Sequence, residues 1–241
     1  MKKGLIYPTI SSSGTDQMAL DLIMLDRVLQ ENILSLAFRF YYWEGFWLSI
    51  GKNQDYLPKK WRDLQHEGKI KLIRRPTGGK AVLHGGGLTY ALAWKNPPKK
   101  KKEAYVKSSQ WLIKGFKEFG MNLRFGSDMN NDSSPNCFLS STPADLIDER
   151  GLKRIGSAQL WKKGSLLQHG EIIISPPKNL WVELFNSEPP EKYNKKFKAQ
   201  EIESSFTKEV RCNWKDIFWE ETKFENEELK NIISFKEQLI V

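Results

Sequence analysis

The segment RRPTGGKAVLHGGGLTY, residues 74–90, sets two arginines, a lysine and a histidine among short strands and repeated glycines. A strand that ends in adjacent arginines directs the two side chains to opposite faces, so one can enter a cleft while the other braces the chain or faces solvent. Arginine donates paired hydrogen bonds to carboxylate or phosphate, and glycine amides can form an anion-binding nest. The segment predicts a site for an anionic group beside a slim substrate, whereas its glycines alone would indicate only a tight turn.

A second cluster lies in GLKRIGSAQLW, residues 151–161, where Lys153 precedes the small residues Gly156, Ser157 and Ala158. Small residues in a strand let a ligand lie close to the backbone, and a lysine beside them can donate to an acyl carbonyl or a phosphate. A single lysine in a chain with 28% charged residues is usually a surface residue. The small residues on its C-terminal side favour a site.

His169 stands in LQHGEIII, before a strongly apolar strand. A lone histidine in that position is more often a structural hydrogen-bonding group than a catalyst. The three histidines of the chain do not have the spacing of a metal set, and no Cys/His/Asp cluster has zinc spacing. We therefore predict no protein-ligated structural metal.

The order of apolar patterns around these clusters predicts an α+β fold with a mixed, largely antiparallel central sheet flanked by helices. A helix is expected from about Gln17, capped by Thr15 or Asp16, with Asp21 off its apolar face. Other predicted elements are strands at 36–43 and 46–51 joined as a hairpin, a helix at 103–119, a strand hairpin turning at Gly164, and helices at 180–185, 214–221 and 227–239.

Composition indicates one globular domain over residues 1–241. The part that contains the motifs, about 15–175, is taken as its core, and the helical patterns at about 178–241 as a C-terminal extension. The chain is 39% hydrophobic and 12% aromatic, well above a disordered sequence. The formal net charge of +9 suits anionic partners, but the one dense run of lysines, 99–102, is interpreted as a solvated loop. No nucleic-acid recognition motif is present, so no nucleic-acid partner is predicted.

The chain contains no apolar run near the roughly 18 residues of a membrane span, and MKKGLIYPTI lacks the apolar stretch of a secretory signal. Its two cysteines, Cys137 and Cys212, could form one bridge at most, which favours a reducing compartment. These features predict a cytoplasmic protein with no membrane partner.

The two clusters together resemble the lipoate–protein ligase and octanoyltransferase group, whose catalytic domain is related to that of biotin–protein ligase. The resemblance covers roughly residues 15–175 and rests on an Arg-Arg-x-x-Gly-Gly run with a downstream histidine, and on a lysine before Gly-Ser-Ala followed by Gln-His-Gly. It implies the biotin/lipoate protein ligase catalytic-domain fold and a bifurcated pocket with one arm for an acyl chain. The implied substrate-binding residues are Arg74, Arg75, Gly78, Gly79, His84, Gly156, Ser157, Ala158 and His169.

One transferase branch of this group is implied by Cys137, which is followed by Phe138 upstream of the lysine motif. In that branch a cysteine takes octanoyl from acyl carrier protein as a thioester, and an apo lipoyl domain then receives it. The resemblance thus implies Cys137 and Lys153 as catalytic residues, because a thiolate attacks thioesters well and a nearby lysine lowers its pKa. Cys212 lacks such a context and is interpreted as structural.

Two features bear on the choice of acyl donor. The transferase branch implies an acidic residue or two shortly after His84, where this chain has Gly85, Gly86 and Gly87. The residues after the second motif are too few for the accessory domain of large ligases, which favours the transferase and no cofactor. An ATP-dependent lipoate–protein ligase, requiring ATP and magnesium, stays open as the alternative.

The implied partners are acyl carrier protein as donor, and as acceptors the apo lipoyl domains of 2-oxoacid dehydrogenase complexes or the glycine cleavage H protein. Both kinds of partner are usually acidic, which fits the positive charge of the chain. A non-catalytic binding module that uses this charge is the third interpretation. It has no recognition motif in its support.

Overall fold

The computed structural model describes residues 2–126, 142, 144–191 and 199–241. Its strands are β1 (Lys2–Ile6), β2 (Ile10–Ser12), β3 (Leu34–Trp43), β4 (Trp47–Ile50), β5 (Lys71–Arg74), β6 (Val82–His84), β7 (Gly87–Lys95), β8 (Arg124–Phe125), β9 (Leu146–Ile147), β10 (Lys153–Lys162), β11 (Ser165–Ile173) and β12 (Ile217–Glu221). Its helices are α1 (Gly14–Gln30), α2 (Lys59–His66), α3 (Lys101–Glu118), α4 (Lys178–Phe185), α5 (Ala199–Asn213), α6 (Asn226–Leu229) and α7 (Ile232–Glu237).

The strands form one large and one small sheet, which confirms the predicted α+β fold with a mixed, largely antiparallel sheet. The large sheet runs β12-β1-β3-β7-β11-β10-β9-β8, with β2 also paired to β3, and the small sheet runs β5-β4-β6. From β3 through β8 every neighbouring pair along this path is antiparallel, while β1 is parallel to both β3 and β12.

Successive side chains along the large sheet point to opposite faces and pack into two separate hydrophobic clusters. Along β7, Ala91 and Ala93 pack into the cluster under α1, whereas Tyr90 and Leu92 pack into the cluster that contains Trp111 of α3 and Phe206 of α5. The sheet is therefore covered on both faces, and aromatic side chains provide part of this cover. A third cluster joins the small sheet to α2 and α4.

The expected hairpin between residues 36–43 and 46–51 was wrong. β3 lies in the large sheet, while β4 pairs in parallel with β5 and antiparallel with β6 in the small sheet. All four residues of β4 are buried. A strand that is buried on both faces carries no clear polar–apolar alternation that would identify its partner, so adjacency along the chain misled the prediction.

The C-terminal part of the chain also differs from the helices that we expected. Residues 214–221 were predicted as a helix, but β12 is a strand that pairs in parallel with β1. Helix α5 was not predicted, and the expected helix at 227–239 is two short ones, α6 and α7. The division into a core and a C-terminal extension stays a prediction.

Helix α1 begins earlier than the sequence indicated. Its N-cap is Ser13, whose hydroxyl accepts a hydrogen bond from the amide of Asp16, instead of Thr15 or Asp16. Asp21, expected off the apolar face, is completely buried. No helix in the described ranges combines the length and apolar character that crossing a bilayer demands.

Candidate active site

A cavity lies where the small sheet and the loop after β5 meet strands β10 and β11 of the large sheet. Every predicted substrate-binding residue except Arg74 lines it. The lining residues are Met18, Tyr41, Ser49, Arg75, Gly78, Gly79, Val82, His84, Thr89, Gly156, Ser157, Ala158, His169, Gly170 and Glu171. The fold therefore brings both sequence clusters to one place, although their roles in binding stay predictions.

A second cavity adjoins the first and contains Lys153. Its lining residues are Gly78, Gly79, Lys80, Tyr105, Thr142, Ala144, Asp145, Lys153, Ser157, Ala158 and Gln159. The two cavities share Gly78, Gly79, Ser157 and Ala158. They thus meet at a junction formed by the glycine loop and the small residues of β10.

The two adjacent arginines hold different loops. Arg75 is buried and donates to the carbonyl oxygens of Ser49, Gly78 and Lys80 at 2.7–3.2 Å. Arg74 turns away from both cavities and donates to three carbonyl oxygens in residues 51–54, each at 3.1 Å. Arg75 therefore fixes the glycine loop at the junction, whereas Arg74 braces the neighbouring loop.

His84 is buried between a carboxylate and a hydroxyl. Its Nδ1 lies 2.8 Å from Glu171 Oε2, and its Nε2 lies 2.8 Å from the hydroxyl of Ser49. The ring stacks on Trp43, with centroids 3.9 Å apart. Burial lowers the pKa of His84 below its usual value, and the negative charge of Glu171 opposes this shift only in part.

The glycines after His84 leave room for that carboxylate. A Cβ on Gly87 would overlap Oε1 of Glu171 and the carbonyl oxygen of Ile172. Glu171, which also accepts a hydrogen bond from Thr89, comes from β11, far along the chain from His84. The acid that the resemblance implies just after His84 is absent there, and an acid from another strand faces the histidine.

His169 forms a second arrangement of the same kind. Its Nδ1 lies 3.0 Å from Asp21 Oδ2, and its Nε2 lies 2.6 Å from the hydroxyl of Thr77. Asp21 also accepts hydrogen bonds from the buried side chains of Arg39 and Tyr41. Thr77 belongs to the loop between β5 and β6, so this chain of contacts ties that loop to α1.

Lys153 lies in the wall of the second cavity with its charge compensated. Its Nζ is 2.9 Å from Asp145 Oδ1, and the two side chains are 3% and 4% exposed. The other oxygen of Asp145 accepts from the amide and the hydroxyl of Thr142. Both the position of the ammonium and the start of the β9 segment thus depend on one carboxylate.

Ser157, shared by both cavities, is held from behind by a buried polar network. Its hydroxyl lies 2.8 Å from the Tyr90 hydroxyl, which accepts from the Gln168 amide at 2.8 Å. Burial raises the pKa of Tyr90 to about 12, so the phenol stays neutral and can donate to Ser157. Gln168 also binds Ser108 and Ser109 of α3.

The predicted nucleophile, Cys137, lies outside the described residues. Cys212 is exposed on α5 and does not pack into a core. Within the described ranges, no group of three His, Cys, Asp or Glu side chains is placed to hold a metal ion.

The sequence of residues 13–222 matches the model of the lipoyl protein ligase A/B catalytic domain. The chain belongs to this family. Among its curated relatives, the octanoyltransferase LipM of Lysinibacillus sphaericus is 34% identical over 72% of this chain and 67% of the relative. The octanoyltransferase LipM of Halalkalibacterium halodurans is 30% identical over 83% of this chain and 77% of the relative.

The fold of the lipoyl protein ligase family is also found among solved structures. Protein Ta0514 of T. acidophilum, solved with bound lipoic acid, superposes with a TM-score of 0.81 at 18% identity. The match covers 99% of this chain and 96% of that protein. This likeness confirms the catalytic-domain fold that the two motifs implied.

Several polar residues at the site of this family member were not predicted from the sequence. They are Ser49, Thr77, Asp145 and Glu171, together with the buried carboxylate of Asp21. One signal was available, because Arg39 stands inside the apolar strand LAFRFYYW and a charged residue buried in a core requires a partner. Which acid would supply that partner could not be read from the sequence.

Proposed function

We propose that this protein transfers an octanoyl group to a lysine of lipoyl-domain proteins. The observation that carries the proposal is the junction at which the two cavities share Gly78, Gly79, Ser157 and Ala158 in a lipoyl protein ligase fold. Relatives 30–36% identical to the chain are named octanoyltransferase LipM. An acyl group that reacts at a junction can keep its chain in one arm and its donor in the other.

The first cavity receives the acyl chain, and the second receives the thioester-bearing arm of the donor. Backbone amides of the glycine loop, held in place by Arg75, and the ammonium of Lys153 then lie near the reacting carbonyl. A positive charge held in a buried wall stabilises the oxyanion that forms there more strongly than one in water.

Cys137 is the nucleophile of this reaction. Its thiolate attacks the donor thioester carbonyl, a new carbon–sulfur bond forms, and the carrier thiol leaves with a proton. The amine of the acceptor lysine then attacks the acyl-cysteine, so that an amide forms and the cysteine thiol is regenerated. The sequence supports this role, because Cys137 and Phe138 precede the lysine motif as in the cysteine-dependent branch, with the cysteine one residue further from the lysine than that branch implies.

The donor is octanoyl acyl carrier protein, and the reaction needs no cofactor. The acceptors are apo lipoyl domains of 2-oxoacid dehydrogenase complexes or the glycine cleavage H protein, in the cytoplasm. The positive net charge of the chain supports docking of such acidic proteins.

Intact-mass spectrometry tests the proposal. The protein is mixed with octanoyl carrier protein alone, and we expect an octanoyl adduct that disappears when apo lipoyl domain is added. Cys137→Ser should form no such adduct, whereas Cys212→Ser, which alters the exposed cysteine, should form it normally. Full transfer activity in Cys137→Ser would overturn the role of the thiol.

A parallel assay with apo lipoyl domain as acceptor distinguishes the transferase from an ATP-dependent ligase. If octanoate with ATP and magnesium modifies the lipoyl domain while octanoyl carrier protein does not, the protein is an ATP-dependent lipoate–protein ligase.

A further inference from the structure

Four consecutive lysines, residues 99–102, surround the start of α3 and are all exposed. Among the described residues, one ion pair involves this lysine run: Lys100 lies 3.5 Å from Glu103, with both side chains largely in solvent. Exposed pairs of this kind contribute little to stability. The run therefore presents a concentrated positive charge at the surface.

The lysine run lies beside the second cavity. Tyr105 lines that cavity together with Lys80 and Lys153. Residues three and four apart on a helix are surface neighbours, with Cβ atoms about 5–6 Å apart. Lys101 and Lys102 precede Tyr105 by four and three positions, so they stand next to the rim of the cavity.

Helix stability does not account for the lysines. The backbone amides at a helix N-terminus carry partial positive charge, and cations there are disfavoured by a few tenths of a kcal/mol or more. The N-cap Lys100 makes no side-chain hydrogen bond to the helix. Because the lysines do not stabilise the start of the helix, their positive charge is available to an external anionic partner.

We propose that Lys99, Lys100, Lys101 and Lys102 form the docking surface for the acidic carrier protein that delivers the acyl thioester. This inference rests on the proposed function. Both the carrier protein and the lipoyl domain are acidic, and we choose between them by the group that each inserts at the rim of the cavity. A carrier inserts an arm joined through a phosphodiester, which the lysines attract, whereas a lipoyl domain inserts a lysine ammonium, which they repel.

The experiment compares two donors in the full-length protein with apo lipoyl domain as acceptor. One donor is octanoyl carrier protein, and the other is octanoyl-pantetheine, which has the thioester but lacks the protein and the phosphate. In Lys101→Glu/Lys102→Glu, we expect kcat/KM for the carrier donor to fall on the order of tenfold at low salt. The loss should shrink at high salt, and kcat/KM for octanoyl-pantetheine should stay unchanged.

Lys114→Glu/Lys117→Glu is the matched control, because both lysines are exposed near the opposite end of the same helix. This control should leave kcat/KM unchanged with either donor. Thermal unfolding separates docking from folding, since glutamates at a helix N-terminus stabilise it. The Lys101→Glu/Lys102→Glu protein should therefore unfold at the same temperature as the unchanged protein or higher.

Three outcomes would overturn the docking surface: an unchanged rate with the carrier donor, an equal loss with both donors, or a raised KM for the lipoyl domain instead. Binding of the carrier protein is also measured directly by isothermal titration calorimetry. If the unchanged protein transfers octanoyl from neither donor, the proposed function fails. Loss of carrier binding in the variant would still support the surface, and unaltered binding would refute it.

Discussion

The carboxylate of Asp145 lies 2.9 Å from the ammonium of Lys153, and both side chains are almost entirely buried. Asp145 comes from the chain just before β9, and Lys153 begins β10, which pairs with β9. The lysine that the sequence motif singled out is thus held in the cavity wall by an acid that no motif identified. A buried charge pair of this kind is costly to break and orients both partners.

Asp145→Asn should therefore lose both stability and activity. Removing one partner leaves the Lys153 ammonium buried without its carboxylate, and the free energy of unfolding should fall by about 3 kcal/mol. Urea unfolding measures the first effect, and octanoyl transfer at a temperature where the variant is folded measures the second.

Asp145→Leu/Lys153→Met separates the two effects, because an apolar pair of similar volume often replaces a buried ion pair without loss of stability. We expect this protein to be folded and inactive. Activity near that of the unchanged protein would show that Lys153 acts only in folding.

Gly78 at the junction and Gly51, which packs against the glycine loop from outside, should respond differently to an added methyl group. A Cβ on Gly51 would overlap the carbonyl oxygen of Gly79, whereas a Cβ on Gly78 has no atom within 4 Å. Gly51→Ala should lower the free energy of unfolding by about 1–3 kcal/mol, because the glycine loop must move. Gly78→Ala should change it by less than about 1 kcal/mol.

Both alanine variants should lose activity, Gly51→Ala through displacement of the loop and Gly78→Ala through obstruction of the substrate. Chemical unfolding and kcat/KM measured on the same preparations test the pair. Unimpaired turnover in Gly78→Ala would mean that the substrate does not pass beside this residue.

The adjacent arginines provide a third comparison. Arg75→Ala removes the donors that hold the carbonyls of Ser49, Gly78 and Lys80, so kcat/KM should fall on the order of 100-fold as the loop shifts. Arg74→Ala frees only the loop at 51–54, so it should lower kcat/KM by a smaller factor than Arg75→Ala does. Equal losses in the two variants would contradict the separate roles that their contacts indicate.

Protonation of His84 should make stability depend on pH. Burial lowers its pKa below the usual 6.5, so the unfolded chain binds more protons than the folded protein in this range. The stabilising contribution is complete above pH 6.5 and is lost as the pH falls from there toward the folded pKa. The free energy of unfolding should therefore decrease between pH 7 and pH 5.

His84→Gln should flatten that pH dependence. His66→Gln is the control, since His66 is exposed on α2 and its replacement should leave the profile unchanged. Urea titrations at pH 5, 6, 7 and 8 provide the measurement. A profile of His84→Gln as steep as that of the unchanged protein would assign the titration to another group.

Local patterns were the part of the fold that could be predicted. The β10–β11 hairpin turns where expected, because Lys163 and Gly164 take positive φ angles of 48° and 76°, and glycine adopts such angles readily. Pairing of this hairpin then sets Ala158 opposite His169, so two parts of one motif become neighbours. Such contacts follow from turn chemistry over a few residues.

The pairing of strands that are distant in the sequence could not be predicted. Ile217 and Trp219 alternate with more exposed neighbours as a strand requires, but their role depends on β1 at the other end of the chain. Likewise, β4 lies in the small sheet, whereas its neighbour in sequence, β3, lies in the large sheet. Neither choice leaves a trace in the local sequence.

By itself, the sequence determined the family, the fold class and the two clusters that meet at the site, because short motifs of glycine, arginine and lysine are local and specific. Only the tertiary structure decided which acids accompany the basic residues: Glu171 for His84, Asp21 for His169 and Asp145 for Lys153. Charged and polar groups buried in a core must be paired, yet any of the many acids in the chain could serve. Chain topology alone brings one of them within 3 Å.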